Sequence, residues 1–214
     1  MSSRRAVHPI ERESYEILRR RVQTRHLPPL TRAVVERVVH ASADPAYAGD
    51  LVCDEAALTA GLRALRAGAA LVVDAHMVGA GITARASVCL VRDPRSAALA
   101  AATGLTRSAA AVRLAARQVE PGAVWVVGNA PTALREVIDL AAAARPALVV
   151  GLPVGFVGAV AAKAALRGAG VPSLSNRSER GGAAVAAAAV NALLYVEDSD
   201  RDDAAAAQGR GDTW

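Results

Sequence analysis

The sequence predicts an α/β protein of three layers, in which helices cover both faces of a doubly wound parallel sheet of about five strands. The first observation is that short Val-rich runs alternate with Ala-rich segments from residue 69 onward. The second is that these runs are apolar throughout, as strands buried on both faces are. The third is composition: 53% of the 214 residues are hydrophobic and only 3% are aromatic, so Ala, Val and Leu must build the core.

Extra helices are predicted at the N-terminal side of this sheet. Residues 10–25 follow Pro9 and read as a helix, and residues 54–67 begin with two acids, as the helix dipole prefers. Residues 42–52 read as a turn-rich connection. Beyond them the predicted strands are 69–75, 87–91, 123–129, 147–153 and a weaker 172–175, and the predicted helices are 94–102, 107–119, 131–144, 155–169 and 180–195.

The segment 31–42 (TRAVVERVVHAS) is predicted to be an amphipathic helix with Thr31 as its N-cap. Four valines repeat at helical spacing and form an apolar stripe, and Glu36, Arg37 and His40 fall on the other side. Arg37 and His40 are three residues apart, so a fixed cation and a titratable imidazole share one face. That pair suits an anionic ligand that needs a proton moved; the alternative is a solvated face with an ordinary surface histidine.

A second candidate residue lies on the first predicted helix. Ser14 falls within the apolar set of that helix, four residues before Leu18. It is either a small packing residue or a hydroxyl directed toward a ligand.

The loops after the predicted strands indicate an anion site, because ligands of such sheets bind beyond the carboxyl ends of the strands. His76, Gly79 and Gly81 follow the first strand, and further glycine-bearing loops lead into helix N-termini, which attract anions. Arginines near several strand ends favour a large, multiply charged anion. The glycines lack the G-x-G-x-x-G fingerprint of dinucleotide-binding proteins, and neither a Walker A motif nor a G-x-S-x-G elbow is present.

Charge is distributed unevenly along the chain. The formal net charge is +5, and residues 197–214 carry six acids and two bases, a net of −4, which leaves +9 on residues 1–196. We therefore expect one domain over 1–196 and a disordered acidic tail over 197–214. A basic body suggests an acidic partner. A nucleic-acid binder fits poorly, because interleaved aromatic residues are lacking.

Other function classes are disfavoured by what the sequence lacks. The two cysteines form no spacing typical of a metal site, so we expect no metal. The N-terminus has no apolar secretory segment, and Gly, Pro or Arg interrupts the apolar runs before they reach membrane-spanning length. We expect a cytoplasmic protein that does not contact a membrane.

Seven stretches, together running from residue 8 to about residue 195, resemble the precorrin-8X methylmutase family of cobalamin (vitamin B12) biosynthesis. Among them, GNAPTAL and GLPVGFVGAxxxK are quite specific. The stretches are HPIERESYEILR, ERVVHAS, DAHMVGAGIT, GLTRSAAAVRL, GNAPTAL, LVVGLPVGFVGA and NRSERGGAAVAAAAVNAL.

The resemblance implies a flavodoxin-like sheet and a homodimer with its active site at or near the subunit interface. It implies an isomerase that moves a methyl group from carbon 11 to carbon 12 of a polycarboxylate tetrapyrrole, giving hydrogenobyrinate. No cofactor is implied, because the methyl shift is intramolecular and uses no S-adenosylmethionine. The alternatives are a cobalt-precorrin-8 methylmutase, whose substrate already holds cobalt, and a corrinoid carrier that binds product without catalysis.

The resemblance also assigns roles to particular residues. His40 corresponds to the catalytic histidine, a proton donor and acceptor, and Ser14 and Arg37 correspond to substrate contacts. Thr83 and Arg107 are expected to be further substrate contacts from their place in the motifs. His76 follows a strand and ranks behind His40 as a candidate.

Overall fold

The computed structural model describes residues 8–196, and within them a five-stranded sheet is covered by helices on both faces. The strands are β1 (Leu51–Cys53), β2 (Leu71–Val73), β3 (Val124–Val127), β4 (Leu148–Gly151) and β5 (Ser173–Asn176). The helices are α1 (Pro9–Arg21), α2 (Pro29–Ser42), α3 (Tyr47–Asp50), α4 (Glu55–Arg66), α5 (His76–Gly81), α6 (Pro94–Thr103), α7 (Arg107–Ala116), α8 (Pro131–Asp139), α9 (Ala141–Ala144), α10 (Ala159–Gly168) and α11 (Ala183–Leu194). The expected acidic tail, 197–214, lies outside the described residues.

The strand order is β1-β5-β4-β3-β2, which confirms the predicted α/β class. Strands β2 to β5 are parallel, as predicted from the alternation of strands and helices. The edge strand β1 is antiparallel to β5, with Leu51 opposite Asn176, so the expectation of an all-parallel sheet is wrong at this edge.

Two elements of the sheet differ from prediction. The segment predicted as a turn-rich connection contains β1, whose three residues are too few to show a periodic pattern. The predicted strand 87–91 forms only an isolated parallel bridge, between Val72 and Val88. Among the helices, α1 ends four residues earlier than predicted, the segment predicted as one helix over 131–144 divides into α8 and α9, and α10 begins at Ala159 rather than near 155.

The core has two parts, one on each face of the sheet. On one face, α1, α2, α4, α5 and α11 pack on one set of strand side chains, which includes Val126 and Val150. On the other face, α7, α8 and α10 pack on the alternate set, which includes Trp125 and Val149. Because successive strand residues point to opposite faces, apolar residues at consecutive positions supply both parts of the core.

The start of α2, which carries His40, is fixed from another element. Pro28, not Thr31, occupies the N-cap position, so the prediction for Thr31 is wrong. The carboxylate of Glu55, at the start of α4, accepts hydrogen bonds from the backbone N–H groups of Leu30 and Thr31 (both 2.8 Å) and from the Thr31 hydroxyl (2.7 Å). A carboxylate from a distant residue thereby satisfies the unpaired amides of the first turn and complements the helix dipole.

Candidate active site

The two predicted residues His40 and Ser14 meet where α1 crosses α2. His40 Nδ1 lies 2.9 Å from Ser14 Oγ, and the two share a hydrogen bond. Leu18 and Val22, further along the same side of α1, are buried and hold this helix to the core. Ser14 therefore makes a side-chain hydrogen bond in addition to packing between the two helices.

Tyr15 is a third member of this contact that the sequence did not single out. Its ring stacks on the His40 imidazole, with ring centroids 4.7 Å apart and planes inclined by 10°. Its hydroxyl accepts a hydrogen bond of 3.3 Å from Nη1 of Arg37. The stack fixes the plane of the imidazole while the Ser14 contact fixes its rotation, so His40 is held in one orientation. The signal available in the sequence was only an aromatic residue next to Ser14.

Arg37 shares the face of His40, as predicted, because both side chains reach α1. Arg37 Nη1 lies 2.9 Å from Glu11 Oε1, and this ion pair is only partly shielded from solvent. Ser14 and Tyr15 come three and four residues after Glu11, so α1 presents all three on the side that faces α2. The guanidinium is consequently a paired cation rather than a free one.

Burial lowers the pKa of the His40 imidazole, and the positive charge of Arg37 lowers it further, while Glu11 opposes both effects. Burial raises the pKa of the Tyr15 phenol, although Arg37 opposes this rise. His40 and Tyr15 are therefore both neutral at pH 7. A neutral imidazole whose Nδ1 is engaged by Ser14 presents Nε2 to a ligand.

Replacing Arg37 with methionine is expected to raise the pKa of His40, because the substitution removes a nearby positive charge and keeps most of the side-chain volume. An NMR titration of the His40 ring protons measures the change, with Arg117→Met as the control because Arg117 is exposed at the far end of α7. An unchanged or lower His40 pKa in Arg37→Met would contradict the assigned electrostatics.

Glu36 was predicted to lie on the polar side of α2, but it is buried, with 5% of its surface exposed. Its carboxylate accepts hydrogen bonds from Thr24 Oγ1 (2.6 Å) and from Arg19 Nε (3.1 Å). These contacts tie the end of α1 and the residues after it to the middle of α2. They hold the helix crossing at which Ser14 meets His40, and helical spacing alone could not reveal them.

Thr83 is not at this crossing. Its hydroxyl lies 3.0 Å from that of Tyr195, just after the C-terminal end of α11. The C-terminal end of α2 is at the opposite end of α11, because Arg180 Nε, just before α11, lies 3.5 Å from Asp44 Oδ2, just after α2. The twelve residues of α11 span about 16 Å. Thr83 and His40 are thus separated by about the length of this helix.

Arg107 is also placed elsewhere. It is the exposed first residue of α7, which covers the other face of the sheet. The hydroxyl of the preceding Thr106 lies 2.8 Å from the hydroxyl of Thr132 at the start of α8. Since α8 follows β3, Arg107 stands at the carboxyl edge of the sheet, where ligands of such folds bind. Within one chain, the structure brings together His40, Ser14 and Arg37 and leaves Thr83 and Arg107 apart.

A buried aspartate organises the edge of the sheet at which the carboxyl ends of the parallel strands lie. Asp74, directly after β2, accepts hydrogen bonds from the backbone N–H groups of Gly128 (2.9 Å), Asn129 (2.9 Å) and Ala130 (2.8 Å). Burial raises the pKa of Asp74, and the three N–H bonds oppose the rise. His76 follows as the exposed first residue of α5, a short helix where the sequence analysis placed a glycine-bearing loop.

Neither a metal-binding cluster nor a membrane-spanning helix is found in the part of the chain that the structure describes. Residues 8–196 contain no group of three or more His, Cys, Asp or Glu side chains arranged to hold a metal ion. None of the helices in the same range is long and apolar enough to cross a bilayer.

Comparisons with known proteins agree on one family. The model of the family described as CbiC, precorrin-8X methylmutase, matches residues 9–196. Among curated proteins, the cobalt-precorrin-8 methylmutase of Methanothermobacter thermautotrophicus is 42% identical over 193 residues, covering 88% of this chain and 93% of that protein. The precorrin-8X methylmutase of Pseudomonas aeruginosa is 41% identical over 194 residues, covering 86% of this chain and 93% of that protein.

A solved structure agrees with the sequence comparisons. The crystal structure of precorrin-8X methylmutase from Thermus thermophilus superposes with a TM-score of 0.80 at 38% identity, covering 89% of this chain and 96% of that one. The structural similarity therefore extends over most of the chain.

Proposed function

This chain belongs to the precorrin-8X methylmutase family, and we propose that His40 is the residue that assists its methyl migration by acid–base chemistry. The enzyme is an isomerase of cobalamin biosynthesis: the bond from the methyl group to carbon 11 of precorrin-8X breaks and a bond to carbon 12 forms, giving hydrogenobyrinate. Because atoms and charge balance within one molecule, no methyl donor is needed.

The single observation that carries the role of His40 is its contact with Ser14 beneath the stacked Tyr15 ring. When the Ser14 hydroxyl donates to Nδ1, the proton of the neutral imidazole resides on Nε2. Nε2–H then donates to a nitrogen of the macrocycle and draws electron density from the conjugated system. Carbon 12 becomes more electrophilic, and the methyl group migrates to it with its bonding electrons. The lowered pKa of His40 makes its protonated form a stronger acid, which assists transfer when a full proton is required.

Positive charge accounts for substrate binding in this proposal. The substrate carries acetate and propionate carboxylates around its rim, and guanidinium groups bind carboxylates through paired hydrogen bonds. Arg37 is half-exposed beside His40, and Arg107 is exposed at the carboxyl edge of the sheet. Ser14 and Thr83 supply hydroxyl contacts. No cofactor takes part in the proposed step.

The separation of Thr83 from His40 supports a homodimer whose active sites each combine residues of two chains. The loop between β4 and α10 offers a surface for such an interface. Phe156 is 95% exposed and Val157 is 90% exposed, and Val154 and Val160 beside them are partly exposed. Large apolar side chains exposed together mark interaction surfaces. A second copy of this chain is the occupant that the two-chain site requires.

Mixing two inactive variants tests this function and assembly together. We expect His40→Ala and Arg107→Gln each to lose most activity with precorrin-8X. If each site takes these residues from different chains, heterodimers hold one intact site, and an equal mixture after subunit exchange recovers roughly a quarter of wild-type activity. Recovery measured by the absorbance of hydrogenobyrinate supports the proposal. An absence of recovery, with heterodimers shown to form, would place both residues in the site of one chain.

Cobalt-precorrin-8 is the alternative substrate. Identities of 42% and 41% to relatives named for the two substrates favour neither form. A corrinoid carrier, the other alternative, would bind hydrogenobyrinate without forming it. Turnover therefore separates the carrier from the isomerase.

A further inference from the structure

The loop between β5 and α11, residues 177–182, is built on a buried lysine. Lys163, on α10, is the only lysine of the chain and is fully buried. Its Nζ donates to Asn176 Oδ1 (2.8 Å) and to the backbone carbonyls of Ser178 and Arg180 (both 2.6 Å). These acceptors use all three N–H bonds of an ammonium group, so Lys163 fixes the path of the loop from inside.

Asp50, at the end of α3, binds hydrogen-bond donors of the same loop and of Asn176 before it. Its carboxylate accepts hydrogen bonds from the backbone N–H groups of Arg177 (2.9 Å) and Ser178 (2.8 Å), from the Ser178 hydroxyl (2.6 Å) and from Asn176 Nδ2 (2.7 Å). Burial acts to raise the pKa of Asp50, but these hydrogen bonds lower it below its ordinary value. A charged group of each sign, each fully hydrogen-bonded, therefore determines the loop conformation.

The loop also lies tightly against the segment after β4. The backbone N–H of Gly182 donates to the carbonyl of Leu152 at 2.9 Å. Gly181 has φ of +154°, and a Cβ there would lie 2.2 Å from the same carbonyl oxygen. Any larger residue would push the loop away from the sheet. The loop is therefore held on three sides, and its exposed side chains project from a fixed backbone.

The loop meets α2 close to the candidate active site. Arg180 is half-exposed, and its Nε lies 3.5 Å from the carboxylate of Asp44, which follows the end of α2 four residues after His40. This ion pair is loose and partly solvated, so a ligand carboxylate can compete for the guanidinium. The hydrogen bond from Lys163 to the backbone carbonyl of Arg180 fixes the position from which the Arg180 side chain extends.

We propose that Lys163 is a positioning residue that holds Arg180 toward a peripheral carboxylate of the ligand, an inference that rests on the proposed function. Lys163 itself does not touch the ligand, because its three N–H bonds are directed into the loop. Arg180 makes the contact with the ligand carboxylate, and Lys163 fixes the backbone position of Arg180. Neither residue carries a role in the resemblance described above.

Burial lowers the pKa of Lys163 to about 8; Asp50 and Glu179 oppose this effect, and Arg167 adds to it. The ammonium form therefore predominates at pH 7 and is lost above pH 8. A neutral amine has only two N–H donors, and its lone pair would face one of the carbonyl oxygens. Deprotonation thus weakens the support of the loop.

The test measures binding of hydrogenobyrinate, a polycarboxylate macrocycle, to the full-length chain. Lys163→Met keeps the volume and removes the charge, and it is expected to weaken binding about tenfold, which is the effect of losing one charge-assisted contact. KM for precorrin-8X should rise by a similar factor, while kcat changes far less. Arg180→Gln should give a similar loss, and the double variant should lose little more, because both substitutions remove one contact. Arg117→Gln is the control, since Arg117 is exposed at the opposite edge of the sheet.

Unchanged binding in Lys163→Met, or losses that multiply in the double variant, would overturn the proposal. If Lys163→Met does not fold, the wild-type protein still tests it: affinity should fall as pH rises from 7 to 9, and Arg180→Gln should show a smaller fall. An equal fall in both proteins would also overturn it. Failure of the wild type to bind hydrogenobyrinate would instead count against the proposed function.

Discussion

We expect replacement of His40 by alanine to lower kcat by about 10²–10⁴-fold, the range over which general acid–base groups contribute. The substitution removes the imidazole that Ser14 and Tyr15 orient. Other titratable side chains at the α1–α2 crossing, Glu11, Tyr15 and Arg37, are hydrogen-bonded to one another. Binding of hydrogenobyrinate should weaken much less, because charged contacts to the carboxylates remain.

His26→Ala is the matched control, because His26 is exposed in the connection between α1 and α2. Steady-state rates with precorrin-8X, measured beside circular dichroism of each variant, separate loss of chemistry from loss of fold. Activity of His40→Ala within about tenfold of wild type would remove His40 from the acid–base role.

The second large effect expected is on stability. Asp74→Asn should lower the free energy of unfolding by about 3 kcal/mol. The carboxylate accepts hydrogen bonds from three backbone N–H groups, and the –NH₂ group of asparagine would face some of these donors without being able to accept from them. Asp74 is 2% exposed, so water cannot replace the lost acceptor. The turn from β3 into α8 would lose its anchor.

Urea unfolding of Asp74→Asn beside Asp139→Asn measures this effect. Asp139 is exposed at the end of α8, and its replacement by asparagine makes the same change in charge. If Asp74→Asn stayed within about 0.5 kcal/mol of wild type, as surface substitutions do, Asp74 would not anchor the turn.

Local patterns in the sequence predicted the layers of the fold and the central pair of the site. Continuous apolar runs indicated β2, β3 and β4, a weaker run indicated β5, and the i, i+3 spacing placed Arg37 and His40 on one face. Both patterns depend only on neighbours along the chain. The resemblance gave Ser14 as a substrate contact, and the structure places its Oγ 2.9 Å from His40 Nδ1.

Contacts between distant residues could not be predicted in this way. Glu55 caps α2 from the start of α4, and Asp50 and Lys163 support a loop more than ten residues away from either. Each is a single polar side chain whose partner is determined by the tertiary fold, so it produces no periodic pattern in the sequence. Strand β1 was missed for a related reason. Its strand conformation depends on pairing with β5, and its three residues alone carry no strand pattern.

The most direct test of the account is an absorbance time course of the wild-type protein with metal-free precorrin-8X, beside the same reaction with cobalt-precorrin-8. We expect conversion of the metal-free substrate to the spectrum of hydrogenobyrinate, with repeated turnover. Conversion of the cobalt form alone would assign the chain to the other substrate. Binding of hydrogenobyrinate with no conversion of either substrate would contradict catalysis and leave the carrier.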